Sequence, residues 1–148
     1  MQSASNVQPR SAGVVVVRTE AGAWRCLMLR AYRDWDFPKG EIDPDESPLA
    51  AAVRETEEEA SLTALSFDWG EIYCDTAPYN RGKIARYYIA QVAEGTVKLG
   101  INPALGRAEH HEFRWMTLDE ARALAAARLR PIIDWATALL ARSPADKG

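Results

Sequence analysis

Glu55, Glu58 and Glu59 are spaced by three and four residues, which places three carboxylates on one face of an α-helix. Like charges at this spacing repel one another, so a chain that keeps them needs a compensating cation. Arg54 supplies one positive charge, and a hard divalent ion such as Mg²⁺, which prefers oxygen ligands, would supply more. Because protein-bound Mg²⁺ is usually shared with substrate phosphates, the spacing favours chemistry on a phosphoanhydride bond.

The element that must position these acids is a helix beginning at Ser47. Serine is a favoured N-cap, and Pro48 fits the first helical position because a backbone N–H there would have no helical partner. The helix is predicted to bury one stripe of residues, formed by Leu49, Val53, Thr56 and Ala60. Glu57 points to a different side, and we interpret it as a solvated charge.

The segment from Gly40 to Leu62 resembles the Nudix box, Gly-x5-Glu-x7-Arg-Glu-U-x-Glu-Glu-x-Gly-U, in which U is aliphatic. Every charged position of the box matches. Two positions differ: Thr56 replaces the aliphatic residue, and Ser61 replaces a glycine that enters a left-handed helix end more easily than serine. The resemblance implies an α/β fold, a Nudix-like α/β/α sandwich with a mixed β-sheet, in which the box forms a catalytic loop-helix-loop.

The same resemblance implies a divalent metal, Mg²⁺ with Mn²⁺ as a substitute. Its predicted ligands are Glu55, Glu58, Glu59 and a backbone carbonyl at Gly40 or the preceding Lys39. Carboxylate and carbonyl oxygens suit such a hard ion.

Hydrolysis also needs a proton acceptor for the attacking water. Glu58 and Glu109 are both candidates, and the sequence does not choose between them. Arg54 is predicted to orient the acids of the box, among them Glu55, and Glu46 can pair with Arg54.

The lead-in to the box, Trp35-Asp-Phe-Pro-Lys-Gly40, resembles the Nudix branch that hydrolyses diadenosine tetraphosphate. By that resemblance, Lys39 contacts a substrate phosphate. Tyr79 stands about where such enzymes place a tyrosine, and we expect Tyr79 or Tyr87 to stack on a nucleobase. Packing in the core is the alternative for each tyrosine.

The resemblance continues at Glu109-His110, which precedes the segment Phe113-Arg114-Trp115. It makes Glu109 an outer metal ligand or a proton acceptor. A zinc site built from His110 and His111 is disfavoured, because adjacent histidines lack the usual ligand spacing.

Composition places limits on the whole chain. With 148 residues and 47% hydrophobic content, we expect a single domain over residues 11–142, with flexible ends at 1–10 and 143–148. A formal net charge of -3 argues against an extended nucleic-acid surface, so the expected partner is a small nucleotide. The sequence contains no signal-like segment and no long apolar run, which predicts a cytoplasmic protein without membrane contact.

Hydrophobic patterns predict the remaining elements. The predicted strands cover residues 12–18, 24–30, 66–76 and 84–92, with a short strand ending near Met116. The strand over 84–92 has Tyr87 and Ile89 on one face and Arg86 and Tyr88 on the other, and one face is expected to pack while the other lines a cleft. Thr117 to Glu120 forms a capping box that opens a helix to about Leu129, and a last helix follows Pro131.

The sequence therefore predicts a Mg²⁺-dependent hydrolase of nucleoside polyphosphates, with asymmetric cleavage of diadenosine tetraphosphate as the leading activity. The alternative enzyme is a pyrophosphohydrolase acting on RNA 5′ ends or diphosphoinositol polyphosphates. A third alternative is a binding module that senses nucleotides without turnover. The true substrate, the identity of the general base, the effect of Ser61 and the oligomeric state stay open.

Overall fold

A continuous apolar run makes Ser11–Glu20 (β1) the centre of the sheet. In the computed structural model, which describes residues 8–143, β1 pairs antiparallel with Ala23–Ala31 (β2) in the predicted hairpin. Its other neighbour, Ala85–Gln91 (β6), runs parallel to it. The sheet is therefore mixed, as predicted, and its central strand is buried on both faces.

Six shorter strands form five further pairings. Asp34–Asp36 (β3) and Glu112–Met116 (β9) pair with β2, and Lys39–Glu41 (β4) pairs with β1. Tyr73–Asp75 (β5) pairs with β6 and completes a seven-stranded sheet. The fifth pairing is separate from it: Ile101–Asn102 (β7) and Arg107–Ala108 (β8) form a two-stranded hairpin.

Alternate residues of β1 enter two different cores. Val15 and Val17 pack in one cluster with Ile132 and Ile133 of the C-terminal helix. Val14 and Val16 pack in the other cluster, which includes residues of the helix that follows β4. Because strand side chains alternate between faces, the sheet separates two helical layers, which confirms the predicted α/β/α sandwich.

The predicted box helix forms at Pro48–Ala60 (α1), and Ser47 caps it by accepting a hydrogen bond from the Ala50 amide at 3.1 Å. Ser61 ends it in the left-handed region, with φ 62° and ψ 31°. The Ser61 hydroxyl donates a hydrogen bond to the Lys98 carbonyl at 2.8 Å. This bond stabilises serine in a backbone conformation for which the Nudix box has glycine.

The buried stripe of α1 differs in part from the prediction. Thr56 and Ala60 are buried as expected, but Leu49 and Val53 are only half-buried. Ala51 and Ala52 take the central positions instead. Small side chains there let α1 lie close to the sheet, which brings its acids near β4.

Two strand predictions were wrong in detail. Only Tyr73–Asp75 is a strand within 66–76, because a turn closed by the Gly70 amide on the Phe67 carbonyl interrupts the segment. Both faces of β6 pack, since Tyr88 is 5% exposed and belongs to the core on the α1 side. The expectation that one face of this strand lines a cleft is therefore wrong.

The C-terminal layer is shorter and more broken than predicted. The capping box forms at Thr117 and Glu120, but Leu118–Leu124 (α2) ends where Ala125 adopts an extended backbone. A 3₁₀ turn over Ala127–Leu129 then leads into Arg130–Ala141 (α3). Arg128 is the central residue of this turn.

Hydrogen bonds to the rest of the fold extend one residue beyond each predicted domain limit. Arg10 is hydrogen-bonded through its backbone to Ile84 and Ile42, and Ser143 accepts hydrogen bonds from the indoles of Trp24 and Trp69. The rest of the predicted flexible ends, 1–7 and 144–148, lies outside the described residues. Within 8–143, no helix is both long and apolar enough to span a membrane.

Candidate active site

One cleft of about 830 Å³ brings together residues from both halves of the chain. Six carboxylates line it, and four of them, called the acidic group here, are Glu55, Glu58, Glu59 and Glu109. Three cations that line it, called the basic group, are Lys39, Lys83 and Arg128. Gly40 and Tyr79 also line the cleft.

Gly40 lies directly against the Glu55 carboxylate. A Cβ built on Gly40 would lie 2.1 Å from the carboxyl carbon of Glu55, so only glycine lets β4 and α1 approach this closely. The Glu55 side chain is 14% exposed. Burial raises the pKa of Glu55, and the charge of Arg54 opposes that shift.

Glu59 is the most perturbed carboxyl of the cleft. It is 12% exposed, and the Lys39 amide donates a 3.1 Å hydrogen bond to its Oε1. Burial raises the pKa of Glu59 to about 9, and the charges of Glu55 and Glu109 raise it as well. A bound cation would relieve both the desolvation and the repulsion, because it favours the ionised carboxylates.

Arg54 satisfies the other acids of the box. Its Nε and Nη2 donate to the two oxygens of Glu46 at 2.8 and 2.9 Å, and this pairing lowers the pKa of Glu46 to about 2. Its Nη1 donates to Glu55 at 3.0 Å and to Glu58 at 3.2 Å. Glu58 is 57% exposed, so it lies at the solvent side of the acidic group.

Glu109 and His110 directly follow β8 and lie beside Glu59 in the cleft. Ligand atoms of Glu59, Glu109 and His110 all lie within 4.8 Å of one another, which makes this cluster a candidate divalent-metal site. Asn102 holds Glu109 through a 3.1 Å hydrogen bond. Burial lowers the pKa of His110, which favours the neutral imidazole that can serve as a ligand.

His111 is not part of this cluster, because its ring packs edge-on against Tyr32 at 5.3 Å. The two adjacent histidines therefore point to different surroundings. The cluster contains two carboxylates and one imidazole, a set that suits a hard divalent ion. Structural zinc sites are typically rich in cysteine and histidine instead.

Tyr79, Lys83 and Arg128 form a second part of the cleft. Tyr79 and Lys83 exchange two backbone hydrogen bonds, of 2.9 and 2.7 Å, which close a turn between them. The guanidinium carbon of Arg128 lies 4.8 Å from the centroid of the Tyr79 ring. Tyr79 is half-buried, so part of its ring is open to the cleft, where the stacking role predicted for it stays a prediction.

The prediction that Tyr87 stacks on a nucleobase is wrong. Its side chain is fully buried, with its ring 5.6 Å from Phe37 and its hydroxyl donating to Asp36 at 2.9 Å. The alternative, packing in the core, is the outcome, because its side of β6 faces the α2–α3 layer.

Sequence reasoning missed Lys83, Asn102 and Arg128. It named His110 in the resemblance at Glu109-His110 and in a disfavoured zinc site, but gave it no role toward the divalent metal. These residues lie far from the box in sequence, in short elements whose position depends on the tertiary fold. His110 alone had a local signal, since it directly follows Glu109.

The NUDIX domain model matches residues 7–136, so the chain belongs to this family. Membership confirms the predicted fold and the predicted class, a Nudix-type hydrolase acting on phosphoanhydride bonds.

Two curated relatives and one solved structure are informative. The asymmetrical bis(5′-nucleosyl)-tetraphosphatase of Sus scrofa is 31% identical over 78% of this chain and 84% of its own length. An RNA pyrophosphohydrolase of Acidiphilium cryptum is 33% identical over 70% of this chain and 69% of its own length. The structure of a C. elegans Ap4A hydrolase binary complex is 30% identical with a TM-score of 0.77, covering 88% of this chain and 98% of that one.

Proposed function

We propose that this protein hydrolyses dinucleoside polyphosphates, with diadenosine tetraphosphate as the leading substrate and ATP plus AMP as products. The observation that carries the proposal is one cleft in which buried carboxylates and three cationic side chains meet. Similarity to tetraphosphatases from Sus scrofa and C. elegans supports the choice of substrate.

The residues present fit a divalent metal, and we propose Mg²⁺, with Mn²⁺ as a substitute. Glu55, Glu58 and Glu59 would hold it, helped by a backbone carbonyl at Lys39 or Gly40. His110 lies close enough to Glu59 to add an imidazole nitrogen. The fit rests on Glu59, a buried carboxyl whose nearest charges include two other carboxylates. When bound, the metal would neutralise phosphate charge and polarise the bond to be cleaved.

The basic group would hold the polyphosphate chain. Phosphoryl transfer spreads negative charge over the phosphate oxygens, and fixed cations stabilise that charge. The Lys39 amide donates a hydrogen bond to Glu59, and the residue lines the same cleft as the acidic group. Its ammonium would therefore contact a phosphate bound there. A base stacked on Tyr79 would fix one end of the substrate.

We propose Glu109 as the proton acceptor for the attacking water. The Glu58 carboxylate already accepts two hydrogen bonds from Arg54, one on each of its oxygens. Glu109 accepts one neutral hydrogen bond, from Asn102, and lies within the Glu59–His110 cluster. Arg54 would keep Glu55 and Glu58 oriented.

RNA 5′-end pyrophosphohydrolysis is the second candidate, because a relative with that name is 33% identical to this chain. Both activities need the same acids and differ in what lies beyond the phosphates. The comparison of substrates therefore has to be made on the purified protein.

The test is a substrate panel with excess Mg²⁺: diadenosine tetraphosphate, 5′-triphosphorylated RNA, a diphosphoinositol polyphosphate and ATP, with products separated by chromatography. We expect the highest kcat/KM for diadenosine tetraphosphate, and no turnover by the Glu55→Gln variant. A higher kcat/KM for RNA ends or inositol pyrophosphates would assign the function to the alternative. Tight nucleotide binding without turnover would indicate a sensor.

A further inference from the structure

Asp36 is a buried carboxylate that joins three parts of the fold. It is 9% exposed, and its Oδ1 accepts hydrogen bonds from the Phe37 amide at 2.6 Å and from the Tyr87 hydroxyl at 2.9 Å. Its Oδ2 accepts a hydrogen bond from Nη2 of Arg128 at 2.7 Å. One carboxylate therefore fixes both the lead-in to the box and the guanidinium that lines the cleft.

Arg128 is held at the cleft with unused donor capacity. Its side chain is 27% exposed, yet its Nε is buried and has no acceptor among the described residues. A buried donor without an acceptor costs free energy. We therefore expect the Arg128 side chain to make a favourable contact that offsets this cost when substrate binds. A guanidinium offers five N–H donors in a planar fork, which matches the oxygens of a phosphate.

The anchor also explains why this arginine does not neutralise the acids of its own cleft. Six carboxylates line the same cavity, the acidic group together with Asp34 and Glu41, and a mobile guanidinium would pair with them. Asp36 supplies the counter-charge on the far side, and the Tyr79 ring packs against the guanidinium plane. The exposed part of Arg128 is thereby kept for an anion that enters the cleft.

We propose that Arg128 is a substrate-binding residue that takes a phosphate of the polyphosphate chain, and that Asp36 and Tyr87 are its positioning residues. This inference rests on the proposed function, since it assigns a contact within the same cleft. It places a phosphate next to Tyr79, between the base-stacking position and the metal-binding acids.

The first test compares Arg128→Gln with Arg122→Gln. Arg122 is the matched control, because it also pairs with an aspartate, Asp134, but lies on α2 outside the cleft. We expect Arg128→Gln to raise KM for diadenosine tetraphosphate by about tenfold or more, with kcat changed by less than about threefold. Arg122→Gln should leave both constants unchanged.

A second variant, Tyr87→Phe, tests positioning. It removes one hydrogen bond to Asp36 but keeps the packed ring, so the protein should fold. We expect KM to rise about threefold with kcat unchanged, since a less restrained carboxylate holds Arg128 less well. Lowered thermal stability with an unchanged KM in both Arg128→Gln and Tyr87→Phe would make the network structural and overturn the proposal.

Binding of inorganic tripolyphosphate, measured by calorimetry with excess Mg²⁺, separates this inference from the proposed function. We expect Kd to increase about tenfold in Arg128→Gln and to be unchanged in Arg122→Gln. If the wild type binds tripolyphosphate through Arg128 but cleaves none of the panel substrates, the proposed function fails and the contact stands. If it cleaves diadenosine tetraphosphate and Arg128→Gln keeps wild-type KM and Kd, only the contact fails.

Discussion

The acidic and basic groups line one cleft but are built in different ways. Three of the four acids come from a single helix. Arg54 of the same helix contacts Glu55 and Glu58, and the Lys39 amide contacts Glu59. The three cations come from three separated segments, and Arg128 reaches the cleft through a 3₁₀ turn anchored on Asp36. Most of the acids therefore belong to one local sequence motif, whereas the cations are brought together only by the tertiary fold.

The two groups also differ in how their charge is balanced. Glu59 is buried beside other carboxylates, so its charge is favoured only when a cation binds. Arg128 already has a counter-charge in Asp36 and needs only an anion that brings additional acceptors. We infer that the acidic group depends on metal for its working state, and that the basic group is formed before substrate arrives.

The largest expected effect comes from Glu59→Gln, which breaks the acidic group alone. We expect kcat to fall by about 10³-fold, because a main metal ligand is lost, and Mg²⁺ to stop raising the melting temperature. Thermal scans with and without Mg²⁺, alongside kinetics, measure both effects. A wild-type melting temperature that does not respond to millimolar Mg²⁺ would contradict the metal site.

The next effect, from Gly40→Ala, sharpens the claim that close packing sets the acidic group. The added Cβ would collide with the Glu55 carboxylate, so we expect kcat to fall by about 10- to 100-fold through displacement of that side chain. Gly22→Ala is the control, since it lies in an open turn where a Cβ meets nothing within 4 Å. It should cost about 1 kcal/mol of stability through its positive φ and leave kcat intact. Equal activity of the two variants would remove Gly40 from the site.

The smallest effect is a pH dependence confined to the metal-free protein. The pKa of Glu59 is about 9 in the fold against an ordinary value of 4.5, so the folded state keeps a proton that the unfolded chain releases. The resulting contribution to stability is fully present below pH 4.5 and is lost as pH rises toward 9. Urea unfolding in chelator should therefore show Glu59→Gln gaining on the wild type between pH 5 and pH 9. A constant difference between the two proteins would contradict the burial of an unneutralised carboxyl.

The same contrast explains what sequence could predict. Glu55, Glu58 and Glu59 share one helix face, so their spacing alone gives their arrangement, and Ser47 and Pro48 give the start of that helix. The sandwich was implied by the resemblance to the Nudix box, whereas the apolar runs predicted individual strands such as β1, whose alternate residues enter the two cores.

Tertiary position decided the rest. Tyr87 and Tyr79 look alike in sequence, but Tyr87 lies in a fully packed strand and Tyr79 at a turn beside the cleft. Arg128 was hidden because the helix predicted to reach Leu129 breaks at Ala125. Its partner Asp36 lies 92 residues away along the chain, a separation that no local pattern encodes.

Product analysis of diadenosine tetraphosphate cleaved in ¹⁸O-labelled water tests the central claim most directly, because it asks whether one cleft fixes both ends of the reaction. With excess Mg²⁺, we predict ATP and AMP in equal amounts, and ¹⁸O in only one of the two products. Formation of ADP alone would mean symmetric attack, which the proposed site, with acids that bind the metal and a single tyrosine that stacks on one base, would not provide. No cleavage of this substrate, with rapid cleavage of RNA 5′ ends, would contradict the assignment.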